Sequence, residues 1–365
     1  MQRFSVLFLM LLGLCGEVQA QTVPVNPQTT TQTVPTVKTA QTGAVQKPAP
    51  SAPAAKPAPE AATAPAAKTA QPAQQQAPAP KPGQPAPTTQ GGQTQPAPVQ
   101  AKPKPAPANQ AIDRLYVFGD SYSDTGRGWV DSDGPTAVAY MAQKMGLTLV
   151  PANAKDVDDK SLNFAVSGAP TGENVGHPVT KGWLGLGMKN QVAEFVARQG
   201  DGSIEFDPDS TIFFIAGGLN DKKLTTEQTV ANLEGEIKSL YDAGARRFRV
   251  AILPEKIPAF SEVGIRLNPA LKNIPAEMKT KLPDVEIKTS QWGAFFDAVM
   301  DNAAKYGITD TTNQCAGREI FEEDATPCAS PATHFYYHKG HPSKAVHKIV
   351  GGMLYEEMTG KPAAH

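Results

Sequence analysis

Between residues 115 and 358 short β-forming runs alternate with helical patterns, and this alternation restricts the chain to one class of architecture. Leu115-Tyr116-Val117-Phe118 is a strand run that passes directly into Gly119-Asp120-Ser121. A helix follows at Thr136 to Met145, behind Pro135 and stopped by Gly146. Asn163-Phe164-Ala165-Val166 forms a second strand, and Met188 to Arg198, with Val192, Phe195 and Val196 at helical spacing, a second helix. Thr211 to Ala216 is a buried-type strand that ends in Gly217-Gly218-Leu219-Asn220-Asp221. Thr226 to Ala243 is a helix stopped by Gly244, Phe248 to Leu253 a strand closed by Pro254, and Trp292 to Tyr306 a helix ended by Gly307. Ile308-Thr309 supplies a short fifth strand and Ser343 to Met358 the terminal helix. The pattern predicts an α/β fold with a five-stranded parallel sheet, because parallel strands need crossovers and the crossover helices cover both faces. The loops after the strands then meet at one sheet edge, where such folds bind ligands.

Ahead of this alternation the composition changes twice. Residues 1–20 hold one positive residue, Arg3, then the apolar run Phe4 to Leu14, then Val18-Gln19-Ala20 with small or apolar residues where a signal peptidase reads. This predicts an export signal cleaved after Ala20; a lipidated Cys15 is the alternative, disfavoured by the bulky Leu14 before it. Residues 21–110 are rich in Pro, Ala, Gln and Thr, with repeats such as Lys47-Pro48-Ala49-Pro50 and Gln95-Pro96-Ala97-Pro98. Too few large apolar side chains occur there to offset the entropy of ordering, so a disordered, partly polyproline linker is expected. A plain spacer is the preferred reading, and an arm that docks an envelope partner is the sharper one. The folded domain then spans 111–365, and export places it in the periplasm or outside the cell. In that setting Cys315 and Cys328 are expected to pair, a bridge worth ~3 kcal/mol in the chain-entropy model. The net charge of −1 and the lack of a dense Lys/Arg patch argue against a nucleic-acid partner.

Polar residues of complementary kinds sit at the ends of successive strands. Ser121 offers a hydroxyl, Gly168 an unobstructed backbone N–H, Asn220 a side-chain amide, and His341, just before the last helix, an imidazole. Acyl transfer needs this set: a nucleophile, a base within reach and donors aimed at the developing oxyanion. Each residue alone is explained as readily by turn, cap or surface chemistry; the order in which they fall at strand ends favours catalysis. Such chemistry calls for no cofactor. His334, His338, His341 and His347 crowd one stretch, but they lack the cysteine or carboxylate pattern of a zinc site, so no metal is expected.

These blocks resemble the SGNH/GDSL hydrolases, a family of esterases and lipases. The resemblance rests on Phe118-Gly119-Asp120-Ser121-Tyr122-Ser123-Asp124-Thr125-Gly126, Asn163-Phe164-Ala165-Val166-Ser167-Gly168-Ala169, Gly217-Gly218-Leu219-Asn220-Asp221 and His341-Pro342-Ser343. It implies a flavodoxin-like α/β/α sandwich, with Ser121 as nucleophile, His341 as general base, and Gly168, Asn220 and the Ser121 N–H as oxyanion hole. The implied substrate is a small ester, a lipid or an acylated polysaccharide. The sequence departs from the pattern at His338, where the family carries an aspartate three residues before the catalytic histidine. Three arrangements follow: a Ser121–His341 dyad oriented by His338 or a backbone carbonyl; a carboxylate from the Cys315 to Cys328 loop, such as Glu319, Glu322 or Asp324; or a silent binding module that kept the fold.

Overall fold

The computed structural model describes residues 111–179 and 182–363, so the expected export signal and linker lie outside the described residues. The elements run in the order β1 (Arg114–Gly119), α1 (Ala137–Lys144), β2 (Leu149–Pro151), β3 (Ser161–Asn163), β4 (Val175–Val179), β5 (Gly182–Leu186), α2 (Met188–Gly200), β6 (Thr211–Ala216), α3 (Thr226–Asp242), β7 (Arg247–Ala251), α4 (Ser261–Leu271), α5 (Ile274–Lys281), β8 (Glu286–Ser290), α6 (Trp292–Asp301), β9 (Asp310–Gln314), β10 (His334–His338), β11 (His341–Pro342) and α7 (Lys344–Thr359).

Six parallel strands form the main sheet in the order β2-β3-β1-β6-β7-β8. Without the outermost β2, the order by chain position is the 2-1-3-4-5 of flavodoxin-like sheets. Every residue of β6 is buried, as a strand covered on both faces must be. Side chains alternate across β1: Tyr116 and Phe118 pack with Phe164, Phe195 and Phe213 on the side that α2 covers. Helices α1 and α6 both pack on α7, and α2, α4 and α5 pack on α3. Among the described residues no helix is long and apolar enough to cross a membrane.

The parallel sheet has six strands where the sequence predicts five, and the fifth predicted strand is misplaced. Ile308 is buried, yet the chain there is a loop into β9, which belongs to a separate three-stranded sheet with β10 and β11. The outer position is taken by β8, whose sequence Glu-Ile-Lys-Thr-Ser has Ile287 as its one apolar residue, because an edge strand needs few. The sixth strand, β2, has three residues and ends in proline, too short a run to show a period. The second strand also closes earlier than predicted, at Asn163, and 164–166 lead into the loop. Cys315 and Cys328 are joined in a disulfide, with Cα atoms 4.8 Å apart.

Candidate active site

β1 lies between β3 and β6, so the loops after these three strands are neighbours at the C-terminal edge of the sheet. The strand order reverses at β1 and β6, which opens the crevice used for ligands in such sheets. Ser121 stands at this point. The close approach of β1 to β6 requires glycine at 119, since a Cβ there would lie 2.5 Å from the Ala216 carbonyl oxygen. Gln191 of α2 holds the same residue by both backbone groups, accepting from the Gly119 N–H at 3.0 Å and donating to its carbonyl at 2.9 Å. Beyond it the Asp120 carbonyl accepts from the N–H groups of Ser123 and Asp124, a tight turn that turns Ser121 outward from the strand. The Asp120 carboxyl is fully buried, and burial pushes its pKa up to about 7.

Two buried carboxylates tie the neighbouring loops to this turn. Asp124 accepts from the N–H of Gly126 at 2.8 Å, Gly128 at 3.0 Å and Ser167 at 2.8 Å, which links the β1 loop to the residue before Gly168. Asp221 accepts from the Thr171 N–H at 2.9 Å and from the hydroxyls of Thr171 and Thr229, which links the β6 loop to the same segment. Gly168 has φ +78°, a left-handed conformation that favours glycine, and it is exposed at this edge. No hydrogen bond from the N–H of Ser121 or Gly168 to another described residue is present. The Asn220 amide donates one bond, to the Ala169 carbonyl at 3.1 Å. Its second N–H remains available, because an amide nitrogen carries two donors.

The imidazole comes from the other end of the chain. β10 and β11 pair antiparallel with His338 opposite His341, joined through Lys339 and Gly340, the latter at φ +74°. The Tyr122 hydroxyl donates to the Gly340 carbonyl at 2.6 Å and fastens this hairpin to the β1 loop. Ser121 Oγ and His341 Nε2 are 2.8 Å apart, and His341 Nδ1 lies 3.0 Å from the Lys339 carbonyl. A carbonyl only accepts, so Nδ1 carries the hydrogen and Nε2 presents its lone pair to the serine hydroxyl. Burial lowers the His341 pKa, and the Asp131 carboxylate and the Lys339 carbonyl partly offset that. A neutral, accepting ring follows.

The carboxylate in this cluster is one that sequence reasoning missed. Asp131 Oδ1 is 2.7 Å from His338 Nδ1, and Oδ2 is 3.2 Å from His341 Nε2. The loop candidates are engaged elsewhere or exposed: Asp324 accepts from the Thr326 N–H, and Glu319 and Glu322 lie exposed. What that loop does contribute is Arg318, whose guanidinium is 3.9 Å from Asp131 Oδ2. No local signal marks Asp131; it follows Trp129 and Val130 in a loop and meets the histidines only through the fold. The four clustered histidines do not converge. His347 is buried and accepts from the Ala137 N–H, with burial pushing its pKa down to about 3. His334 Nδ1 lies 3.0 Å from the Ser330 carbonyl. His334 also lies beside Cys315 and Cys328, whose sulfurs are already bonded to each other and offer no thiolate.

A serine hydroxyl bonded to an imidazole at the switch point of a flavodoxin-like sheet is the arrangement of a serine hydrolase. The sequence model of the GDSL-like lipase/acylhydrolase family matches residues 115–352. An acetylesterase of Thermothelomyces thermophilus is 24% identical over 296 residues, covering 67% of this chain and 88% of the relative. A GDSL esterase/lipase of Arabidopsis thaliana is 21% identical over 341 residues, covering 70% and 88%. Among solved structures, the psychrotrophic esterase EstA of Pseudoalteromonas sp. shares 13% identity at a TM-score of 0.35, covering 68% of this chain and 97% of that one. A carbohydrate acetylesterase family member of Sinorhizobium meliloti shares 12% at 0.36, covering 68% and 100%. The chain belongs to the GDSL-like lipase/acylhydrolase family, and it is an ester-hydrolysing enzyme.

Proposed function

We propose that the protein is an exported esterase that cleaves small carboxylic esters through an acyl-enzyme on Ser121, acetyl esters of envelope or exopolysaccharide sugars being the favoured substrates. The 2.8 Å contact between Ser121 Oγ and His341 Nε2 is the observation that carries this reading. As Oγ bonds to the ester carbonyl, its proton moves to Nε2, and the negative charge gathers on the carbonyl oxygen. The N–H groups of Ser121 and Gly168 and the second Asn220 donor are the groups suited to receive that charge. Collapse of the adduct breaks the bond to the alcohol, which takes the proton from Nε2. Water then repeats the sequence and frees the acid. The acetyl preference draws support from the acetylesterase relative. Export draws support from the apolar residues 4–14 and from the Cys315–Cys328 bridge, a bond that persists in oxidising compartments.

A fluorophosphonate probe tests the reading. The expected result is one covalent adduct on Ser121, lost in Ser121→Ala, together with release of acetate from acetylated saccharides. A folded protein that neither reacts nor hydrolyses any ester would sink the proposal. Acetyl transfer to an added saccharide in excess over hydrolysis would instead assign the same acyl-enzyme to an acyltransferase.

A further inference from the structure

The pairing of His338 with His341 across a two-residue turn puts both imidazoles on one side of the hairpin, as directly opposed residues in antiparallel strands are. Asp131 faces both rings, one carboxylate oxygen to each. The carboxylate is 6% exposed, so solvent does little to weaken what it contacts. Trp129 stacks on His338 with ring centroids 5.0 Å apart and planes 20° from parallel, and the Trp129 carbonyl accepts from the Ser167 hydroxyl at 2.5 Å. The carboxylate therefore stands in a fixed setting between two histidines.

The nitrogen it reaches on His341 sets what it can do. In the Ser-His-Asp template the carboxylate accepts from Nδ1. Here Nδ1 is held by the Lys339 carbonyl, and Asp131 Oδ2 lies beside Nε2, the nitrogen that also meets Ser121. While the ring is neutral, Nε2 presents a lone pair and the carboxylate gains nothing from the contact. Once Nε2 has taken the serine proton, the same contact becomes a hydrogen bond between a cation and an anion, about twice as strong as a neutral one. An interaction made only after proton transfer lowers the barrier, because it is absent from the ground state.

We propose that Asp131 is a positioning residue that accepts a hydrogen bond from protonated His341 Nε2 during acylation, and that His338 holds Asp131 for this task. The inference rests on the acyl-enzyme reading above. As the bond from Oγ to the carbonyl carbon forms, the serine proton passes to Nε2, and Asp131 turns that N–H away from Oγ without becoming protonated. The proton then goes to the departing alcohol oxygen as the ester C–O bond breaks, and Nε2 is again a lone pair. Arg318 and His338 also face Asp131, at 3.9 Å and 2.7 Å from its carboxylate oxygens.

The test is Asp131→Asn in the full chain, which keeps the shape and removes the charge. We expect kcat to fall roughly 10- to 100-fold with little change in KM, the range a charge-assisted hydrogen bond supplies. The His341 ring, followed by NMR, is expected to titrate at lower pH than in the parent, because the anion that favours its protonation is gone. His338→Ala is expected to lose a smaller factor, restored in part by His338→Asn, whose amide can still donate to Asp131. Melting curves show whether each variant folds. An unchanged kcat, or an unchanged His341 titration in folded Asp131→Asn, overturns the inference while leaving Ser121 labelling intact. Loss of labelling in the parent protein would strike the acyl-enzyme reading instead, and the titration would still decide whether Asp131 and His341 are coupled.

Discussion

Asp124→Asn should disable the loop framework with no change in size. The parent carboxylate spends both oxygens on backbone donors, Oδ1 on Gly126 and Oδ2 on Gly128 and Ser167, all in a buried setting. An amide replaces one oxygen with an NH2 group, so either the Gly126 bond or the Ser167 bond is lost and two donors face each other. Leaving a buried donor unsatisfied costs about 1–3 kcal/mol, and with the opposed donors we expect a total of about 2–4 kcal/mol. For a domain of this size that corresponds to a fall in melting temperature of roughly 5–15 °C. Because Ser167 precedes Gly168, a candidate oxyanion donor, kcat is expected to fall more than KM rises. Calorimetry and steady-state ester hydrolysis check both effects. A variant that melts within ~2 °C of the parent and keeps its kcat would refute the claim that this carboxylate holds the two loops together.

Acid stability should depend on His347. Its folded pKa of about 3 lies below the ordinary value of 6.5, so between those limits the unfolded chain binds a proton that the folded one refuses. Stability contributed by the neutral ring is present above pH 6.5 and is lost as pH falls toward 3, and His347→Gln should flatten that part of a melting-temperature profile. Reduction of the Cys315–Cys328 bridge, which closes a loop with a sequence separation of 13, should cost up to ~3 kcal/mol and lower the melting point in thiol reductant. The fall should be absent from a double serine variant, whose melting point already lacks the bridge.

The strands at the centre of the sheet were legible because each is a continuous apolar run bounded by glycine or proline. Leu115 to Phe118 and Thr211 to Ala216 are buried on both faces, and such burial writes itself directly into composition. At the margins this signal fails. β8 carries a single apolar residue, Ile287, while the β-branched pair Ile308-Thr309 reads as a strand although Ile308 fills the core from a loop. Ser121 and His341 were legible for a related reason: each sits at a fixed offset from an element end, and turn chemistry there is local. The paired histidines were visible too, yet not their pairing, since the two-residue turn that opposes His338 and His341 is a property of the folded hairpin.

By itself, the amino-acid order determined the layered α/β plan, the edge at which the strand-end loops collect and the serine and histidine that meet there. Periodicity, glycine and proline act over a few residues, and those decisions need no more than that range. Tertiary structure alone decided which carboxylate faces the base. Asp131 is 207 residues from His338 along the chain, and nothing in its own neighbourhood distinguishes it from any loop aspartate. It reaches the histidines because the loop after β1 meets the β10–β11 hairpin, where the Tyr122 hydroxyl donates to the Gly340 carbonyl.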